Sequence, residues 1–240
     1  MAETKVPSLS VFFPAYNEQP NLETLITKAD STISQVAKNY ELIVVNDGST
    51  DHTVETVHEL QKRFPHLKLI SHAENLGYGA ALKTGFATAK FDWIFFTDAD
   101  LQFDIDEIKL LLPFTPDYQV IIGWRKTRAE GSTRAFNAKL FKMYIDLLYR
   151  LHVRDIDCAF KLMKRELIQS IHLESTGAFT TAELLYKLKK KGVRVKEVAV
   201  SHYPRFMGNP TGAQLRVILK ACWESLTLYL KIKSQSLLHH

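Results

Sequence analysis

The stretch WIFFTDAD, Trp93–Asp100, joins a short apolar run directly to a pair of carboxylates. The apolar half has the length and composition of a buried strand in a parallel sheet. Asp98 and Asp100 follow it at positions i and i+2, so both side chains can converge on one divalent cation, and Gln102 adds a neutral oxygen. Mg²⁺ prefers one or two carboxylates, completed by water and substrate phosphate oxygens. The sequence therefore predicts a metal site at the end of this strand.

Similar apolar runs flank this stretch, and segments with a helical spacing of apolar residues separate them. Strands are predicted at 8–13, 41–45, 67–72, 93–97 and 119–123, and helices at 21–36, 53–63, 77–90 and 104–112. This alternation predicts an α/β fold with βαβ units and a mainly parallel sheet. In such sheets ligands bind at the carboxyl ends of the strands.

Polar residues end two other predicted strands. Tyr16 and Glu18 follow the first strand, where they either contact a base or form an ordinary loop. Asp47 follows the second strand, and we interpret it as a ligand contact because a carboxylate at this turn can accept hydrogen bonds from a base or ribose. The composition around Asp51 favours an N-cap of the next helix instead. Lys83 on the third helix either faces the ligand or is a surface lysine.

The second half of the chain has a different pattern and a different charge. Helices are predicted at 132–151, 183–191 and 213–233, and a strand at 193–200. Residues 1–120 hold 9 basic and 17 acidic side chains, a net charge of −8, whereas residues 121–240 hold 22 and 9, a net charge of +13. The basic half indicates a partner with phosphates or an anionic surface, or else the solvated faces of surface helices. It lacks the motifs of nucleic-acid-binding proteins, so no nucleic-acid partner is expected.

The composition excludes several other classes of protein. The chain has 240 residues, of which 46% are hydrophobic and 24% charged, as in ordinary folded domains. Cys158 and Cys222 are too few for a cysteine-only zinc site and are expected to be free thiols in a reducing compartment. We expect no signal peptide and no membrane span, because no apolar run approaches eighteen residues. No flexible linker separates the halves, so one domain over residues 1–240 is expected.

Four motifs resemble, in the same order, those of the family-2 glycosyltransferases with the GT-A fold: FPAYNE (Phe13–Glu18), VNDGSTD (Val45–Asp51), NLGYGAALKTG (Asn75–Gly85) and TDADLQ (Thr97–Gln102). Many members have an aspartate where this chain has Asn46. The resemblance implies a Rossmann-like fold with a mixed, mainly parallel sheet flanked by helices, followed by C-terminal amphipathic helices. It also implies a nucleotide-sugar-binding half at about 6–125 and an acceptor-binding half at about 126–240.

The resemblance implies roles for particular residues. The nucleotide sugar would contact Pro14, Ala15, Tyr16, Glu18, Asp47, Lys83, Asp98, Asp100 and Arg205. Asp98 and Asp100, with Gln102, would bind Mg²⁺ or Mn²⁺ and the donor diphosphate, which makes Asp100 a catalytic residue. The segment His202–Arg205 resembles the loop that closes over this diphosphate.

Two later segments resemble those of the dolichyl- and polyprenyl-phosphate sugar transferases. Arg125, Arg128 and Arg134 would hold an acceptor phosphate, because arginine offers a planar fork of donors. Asp157 opens an acceptor-site segment and has two interpretations. It is either the catalytic base for a hydroxyl acceptor or an orienting carboxylate paired with Lys161 or an arginine.

The expected activity is therefore inverting transfer of a hexose from GDP-mannose or UDP-glucose to polyprenyl or dolichyl phosphate. The helices at 132–151 and 213–233 either lie in a membrane interface or pack on the domain or another subunit. We expect a cytoplasmic protein that is peripheral on the cytoplasmic face of a membrane. The sequence leaves its oligomeric state open. The alternatives are transfer to a sugar or protein hydroxyl, a sugar nucleotidyltransferase and a non-catalytic nucleotide-sugar-binding protein.

Overall fold

The computed structural model describes residues 5–126, 132–205 and 215–238, and leaves undescribed the side chains of 132–139 and several in the last helix. The strands are β1 Val6–Ala15, β2 Ala37–Asn46, β3 Leu67–Ser71, β4 Trp93–Thr97, β5 Val120–Arg125, β6 Phe160–Lys164 and β7 Val195–Val200. The helices are α1 Gln19–Val36, α2 Thr53–Gln61, α3 Tyr78–Thr88, α4 Ser132–Tyr149, α5 Arg165–Gln169, α6 Thr180–Lys190 and α7 Leu215–Leu238.

The seven strands form one sheet in the order β3-β2-β1-β4-β6-β5-β7. Strand β6 runs antiparallel to both of its neighbours, β4 and β5, and the other pairings are parallel. The mixed, mainly parallel sheet flanked by helices is thus confirmed. Because β4 lies between β1 and the reversed β6, the order of the strands changes beside it. In open α/β sheets, the crevice outside the carboxyl ends of the strands at such a point is where ligands bind.

Tight aromatic packing fixes β4 in the middle of the sheet. Every residue of this strand is buried. Phe96 stacks on Phe12 of β1 with ring centroids 5.3 Å apart. Gly85 of α3 lies against the same ring, where a Cβ would stand 2.3 Å from a Phe12 carbon, so only glycine fits. The packing therefore fixes the position of the residues after Thr97, at the carboxyl end of this strand.

The structure corrects the sequence interpretation at β6 and at the segment after β4. Strand β6 was not predicted as a strand, because Lys161 interrupts its short apolar run. Lys161 is fully buried, and its ammonium group donates hydrogen bonds to the carbonyls of Ile156 and Cys158. The helix predicted at 104–112 is wrong, since Ile105–Leu110 and Leu112–Phe114 are short 3₁₀ helices.

The two amphipathic helices of the second half are confirmed and pack against each other. The Tyr144 hydroxyl of α4 donates to the Cys222 carbonyl of α7 at 3.3 Å, and the Tyr149 hydroxyl donates to the Ser225 carbonyl at 2.5 Å. Within the described ranges, no helix combines the length and apolar character that crossing a bilayer requires.

Candidate active site

Asp98 and Asp100 lie at the crevice beside the end of β4. Asp98 is half-buried and its Oδ1 accepts a hydrogen bond from the Tyr78 hydroxyl at 2.9 Å. Asp100 is buried and its Oδ1 accepts one from the backbone N–H of Gln102 at 3.1 Å. Tyr78 was not among the predicted site residues, although it stands between the two glycines of the motif that opens α3.

The electrostatics of this carboxylate pair favour a cation. Burial, followed by the like charge of Asp100, raises the pKa of Asp98. Burial and the charge of Asp98 raise the pKa of the Tyr78 hydroxyl, so it stays protonated and donates. No third acidic, histidine or cysteine side chain joins them in a metal-binding cluster among the described residues. Two carboxylates with the remaining positions left to water and phosphate oxygens fit Mg²⁺ or Mn²⁺.

Arg205 and Glu18 face the same carboxylates. The guanidinium of Arg205 bonds to Oε1 of Glu18, and its other terminal nitrogen lies 3.6 Å from Oδ2 of Asp100. Asn21 donates to Oε2 of Glu18 at 2.7 Å. The pKa of Glu18 is nevertheless raised, because its burial outweighs the pull of Arg205. The structure thus brings together three residues that were predicted from distant parts of the sequence.

Gln102, a predicted metal ligand, holds the segment that carries Arg205. Its side-chain amide donates to the Tyr203 carbonyl at 3.0 Å, and its own carbonyl accepts from the Tyr203 N–H at 2.8 Å. In this arrangement Gln102 positions Arg205 over the crevice. Its predicted role as a metal ligand stays a prediction.

Asp47 organises the loop before α3. Its Oδ1 accepts from the Leu76 N–H at 3.0 Å and lies 2.7 Å from Nδ1 of His72, while its Oδ2 accepts from the Gly77 N–H at 2.9 Å. This buried carboxylate therefore already has three protein partners, and His72 was a residue that sequence reasoning missed. The predicted contact of Asp47 with a base stays a prediction. Asp51 accepts from the N–H of Thr53, the first residue of α2, at 3.0 Å. The N-cap of α2 is nevertheless His52, so Asp51 lies one residue before the cap and its predicted capping role is wrong.

The other predicted donor contacts lie around the same strand ends. Pro14 and Ala15 are buried at the end of β1, and Tyr16 is exposed beside them. Lys83 is half-buried on α3. The Asn17 side chain accepts from the Thr50 N–H at 2.8 Å, which ties the loop after β1 to the loop after β2.

Arg125 forms a buried ion pair instead of an open phosphate site. Its Nε and a terminal nitrogen contact the two oxygens of Asp155 at 2.7 and 2.8 Å, and both side chains are more than nine-tenths buried. Burial lowers the pKa of Arg125 but the Asp155 contacts outweigh it, so the group stays charged. This geometry favours a structural role for Arg125, and its predicted contact with an acceptor phosphate stays a prediction. Sequence reasoning missed Asp155, because its role depends on Arg125, which lies 30 residues away in the chain.

The two other predicted acceptor arginines cannot be placed against a ligand. Arg128 lies outside the described residues, and Arg134 lies on α4 where side chains are not described. Asp157 is exposed on the turn before β6, and its charge contributes to the raised pKa of Tyr78, so the two groups lie within electrostatic reach of each other. Lys161, its proposed partner, directs its ammonium to backbone carbonyls.

Residues 10–171 match the model of glycosyl transferase family 2, a span that includes the carboxylate pair and Asp157. The chain belongs to this family. It is 30% identical to an undecaprenyl-phosphate 4-deoxy-4-formamido-L-arabinose transferase of Aeromonas hydrophila over 174 residues, 71% of this chain and 53% of that protein. It is 28% identical to the dolichyl-phosphate beta-glucosyltransferase ALG5A of Trichomonas vaginalis over 212 residues, 80% of this chain and 64% of that protein. The chain thus spans between half and two thirds of these relatives.

A solved structure confirms the GT-A fold of this family-2 chain. Glucosyl-3-phosphoglycerate synthase of Mycobacterium tuberculosis, in complex with Mn²⁺, UDP-glucose and phosphoglyceric acid, superimposes with a TM-score of 0.71 at 20% identity. The match covers 93% of this chain and 80% of that one.

The buried pair predicts that Arg125 supports stability. We expect Arg125→Ala to lower the free energy of unfolding by about 3–5 kcal/mol, because it leaves the Asp155 carboxylate buried without its partner. Arg154→Ala is the matched control, since Arg154 is exposed over the Trp124 ring, and a cation–π contact at an exposed site is worth about 0.5–1 kcal/mol. Denaturant unfolding measures both. Unchanged stability of Arg125→Ala would show that the pair with Asp155 does not stabilise the fold.

Proposed function

We propose that this chain is a metal-dependent, inverting glycosyltransferase that transfers a hexose from a nucleotide sugar to polyprenyl or dolichyl phosphate. The observation that carries the proposal is the convergence of Asp98, Asp100, Glu18 and Arg205 on one crevice. GDP-mannose and UDP-glucose are the candidate donors. We favour UDP-glucose, because one relative is named a dolichyl-phosphate beta-glucosyltransferase and the solved neighbour holds UDP-glucose with Mn²⁺.

The reaction requires neutralisation of the leaving diphosphate. Asp98 and Asp100 would hold Mg²⁺ or Mn²⁺, which would supply Lewis-acid stabilisation of that charge. Arg205 supplies a second positive charge beside Asp100, because its guanidinium contacts Glu18 and lies 3.6 Å from Oδ2 of Asp100. The Tyr78 hydroxyl orients Asp98 by its hydrogen bond. The nucleotide lies at the ends of β1 and β2, beside Tyr16 and Asp47.

The acceptor decides the role of Asp157. A phosphate acceptor is already anionic and needs little help from a base, so Asp157 then orients the reacting groups. A hydroxyl acceptor on a sugar or protein is the second candidate. Its support is the exposed position of Asp157 within electrostatic reach of Tyr78, where a carboxylate can accept a proton.

A lipid acceptor requires an apolar surface near the site, and α4 and α7 present one. Large apolar side chains are exposed on both helices: Leu140, Met143 and Leu147 on α4, and Leu219, Trp223, Leu226 and Leu230 on α7. Lys220 is exposed on α7 among them. Apolar side chains beside a basic group suit an anionic membrane surface. We therefore propose a peripheral position on the cytoplasmic face of a membrane.

We predict metal-dependent transfer of label into lipid. Radiolabelled UDP-glucose or GDP-mannose is incubated with Mn²⁺ or Mg²⁺ and short-chain polyprenyl phosphate in detergent, and the lipid phase is counted. Asp100→Asn is expected to lower the rate by at least about 100-fold, since it removes a metal-binding charge. Asp117→Asn, at an exposed aspartate, serves as the matched control and is expected to be silent. Label released only as free sugar would indicate that the acceptor is a hydroxyl and not a lipid phosphate. Full activity of Asp100→Asn would reject the metal site.

We also predict that α7 binds membranes. The protein should float with vesicles that contain phosphatidylglycerol, and a Trp223→Ser/Leu226→Ser double variant should bind them at least about tenfold more weakly, since each buried apolar side chain contributes about 1.5–3 kcal/mol. Leu110→Ser removes an exposed leucine outside both helices and is the control. Equal binding by the wild type and the double variant would show that another surface makes the contact.

A further inference from the structure

The segment Glu174–Gly177 lies directly against the first turn of α3. The Gly79 N–H donates to the Thr176 carbonyl at 2.9 Å. A Cβ at Gly77 would stand 2.7 Å from that same oxygen, and one at Gly79 would stand 2.0 Å from the Thr180 hydroxyl oxygen. The two backbones therefore touch with no space for a side chain. Any shift of the segment must move the start of α3.

Two glutamates accept hydrogen bonds from the backbone of this segment. Glu183 of α6 is fully buried and accepts from the N–H groups of Glu174 and Ser175, each at 2.8 Å. Glu224 of α7 accepts from the Thr176 N–H at 3.2 Å and from the Gly177 N–H at 3.1 Å. Hydrogen bonds to an ionised acceptor are stronger than neutral ones, so both glutamates restrain the segment effectively.

Tyr78 connects the restrained turn to the carboxylate pair. It stands between Gly77 and Gly79, and its hydroxyl donates to Oδ1 of Asp98 at 2.9 Å. Hydrogen bonds thus lead from Glu224 to Thr176, from Thr176 to Gly79, and from the same turn to Asp98. We propose that Glu224 is a positioning residue of the donor site, which fixes the Tyr78 hydroxyl against Asp98 from the far side of the 174–177 segment. The proposal rests on the proposed function, since it takes Asp98 to bind the metal of a nucleotide complex.

A purely structural role for Glu224 is separable from this one, because the chain offers a second link between the same two elements. Lys231 of α7 contacts Glu174 at 2.5 Å, with about half of the lysine side chain exposed. This exposed ion pair ties α7 to the segment but does not hold the backbone behind Gly79. Exposed pairs contribute little to stability. Lys231→Ala is therefore the matched control for the loss of a link to α7.

The test is calorimetric binding of UDP in the presence of Mn²⁺ to the full chain. Glu224→Ala is expected to weaken binding about tenfold, the range found when a group that orients a metal ligand is lost. Glu224→Gln keeps one acceptor oxygen and is expected to fall between the wild type and Glu224→Ala. Lys231→Ala is expected to bind as the wild type does.

A double-mutant cycle tests the route. If Glu224 acts through Tyr78, Tyr78→Phe weakens binding and the Glu224→Ala/Tyr78→Phe protein binds no more weakly than the weaker single variant, because the two changes interrupt one contact. Hydrogen exchange reports the same link without a ligand: the Gly79 amide should exchange faster in Glu224→Ala and not in Lys231→Ala.

Three results would overturn the proposal. Wild-type affinity in Glu224→Ala with unchanged exchange at Gly79 would show that the segment does not depend on Glu224. Fully additive losses in the cycle would show that Glu224 acts by another route. If the wild type binds neither UDP nor GDP in the presence of Mn²⁺, the proposed function is rejected, and this inference is rejected with it.

Discussion

The repulsion between two carboxylates on one short turn is the constraint around which this site is built. Asp98 and Asp100 are carried to the crevice by β4, a strand so tightly packed that they cannot drift apart. Burial and mutual repulsion raise the pKa of Asp98, so the arrangement is costly without a positive charge. The protein supplies part of that charge through Arg205 and a proton donor through Tyr78. In our account, a divalent cation, which would also bind the diphosphate of the nucleotide, would supply the rest.

Carboxylates also build the scaffold that surrounds this pair. Asp47 accepts hydrogen bonds from the backbone N–H groups before α3. Glu183 and Glu224 accept them from the N–H groups of the 174–177 segment. Asp155 pairs with Arg125. In each case a buried or half-buried anion replaces water as the partner of groups that folding would otherwise leave unpaired. The loops of the crevice are thereby held in place by residues that come from four different parts of the chain.

The local signals of the sequence predicted most of the sheet but only part of the site. Apolar runs located the first five strands. Burial on both faces explains the continuous pattern of β1 and β4, whereas β3, at the edge of the sheet, is mostly half-buried. Strand β6 was not predicted, because Lys161 interrupts its apolar run. In the structure, the Lys161 ammonium is buried and donates to a backbone carbonyl. Asp98, Asp100, Glu18 and Arg205 were predicted from motifs. The roles of Tyr78, Asp155 and Glu224 depend on partners 20 to 48 residues away, which no local pattern reveals.

The most direct test of the account is a crystal structure of the chain with Mn²⁺ and UDP, with data collected at the manganese absorption edge. The account predicts one anomalous peak between the carboxylates of Asp98 and Asp100 and the diphosphate, with the base beside the ends of β1 and β2. A manganese peak at another site, or UDP bound away from this crevice, would contradict it.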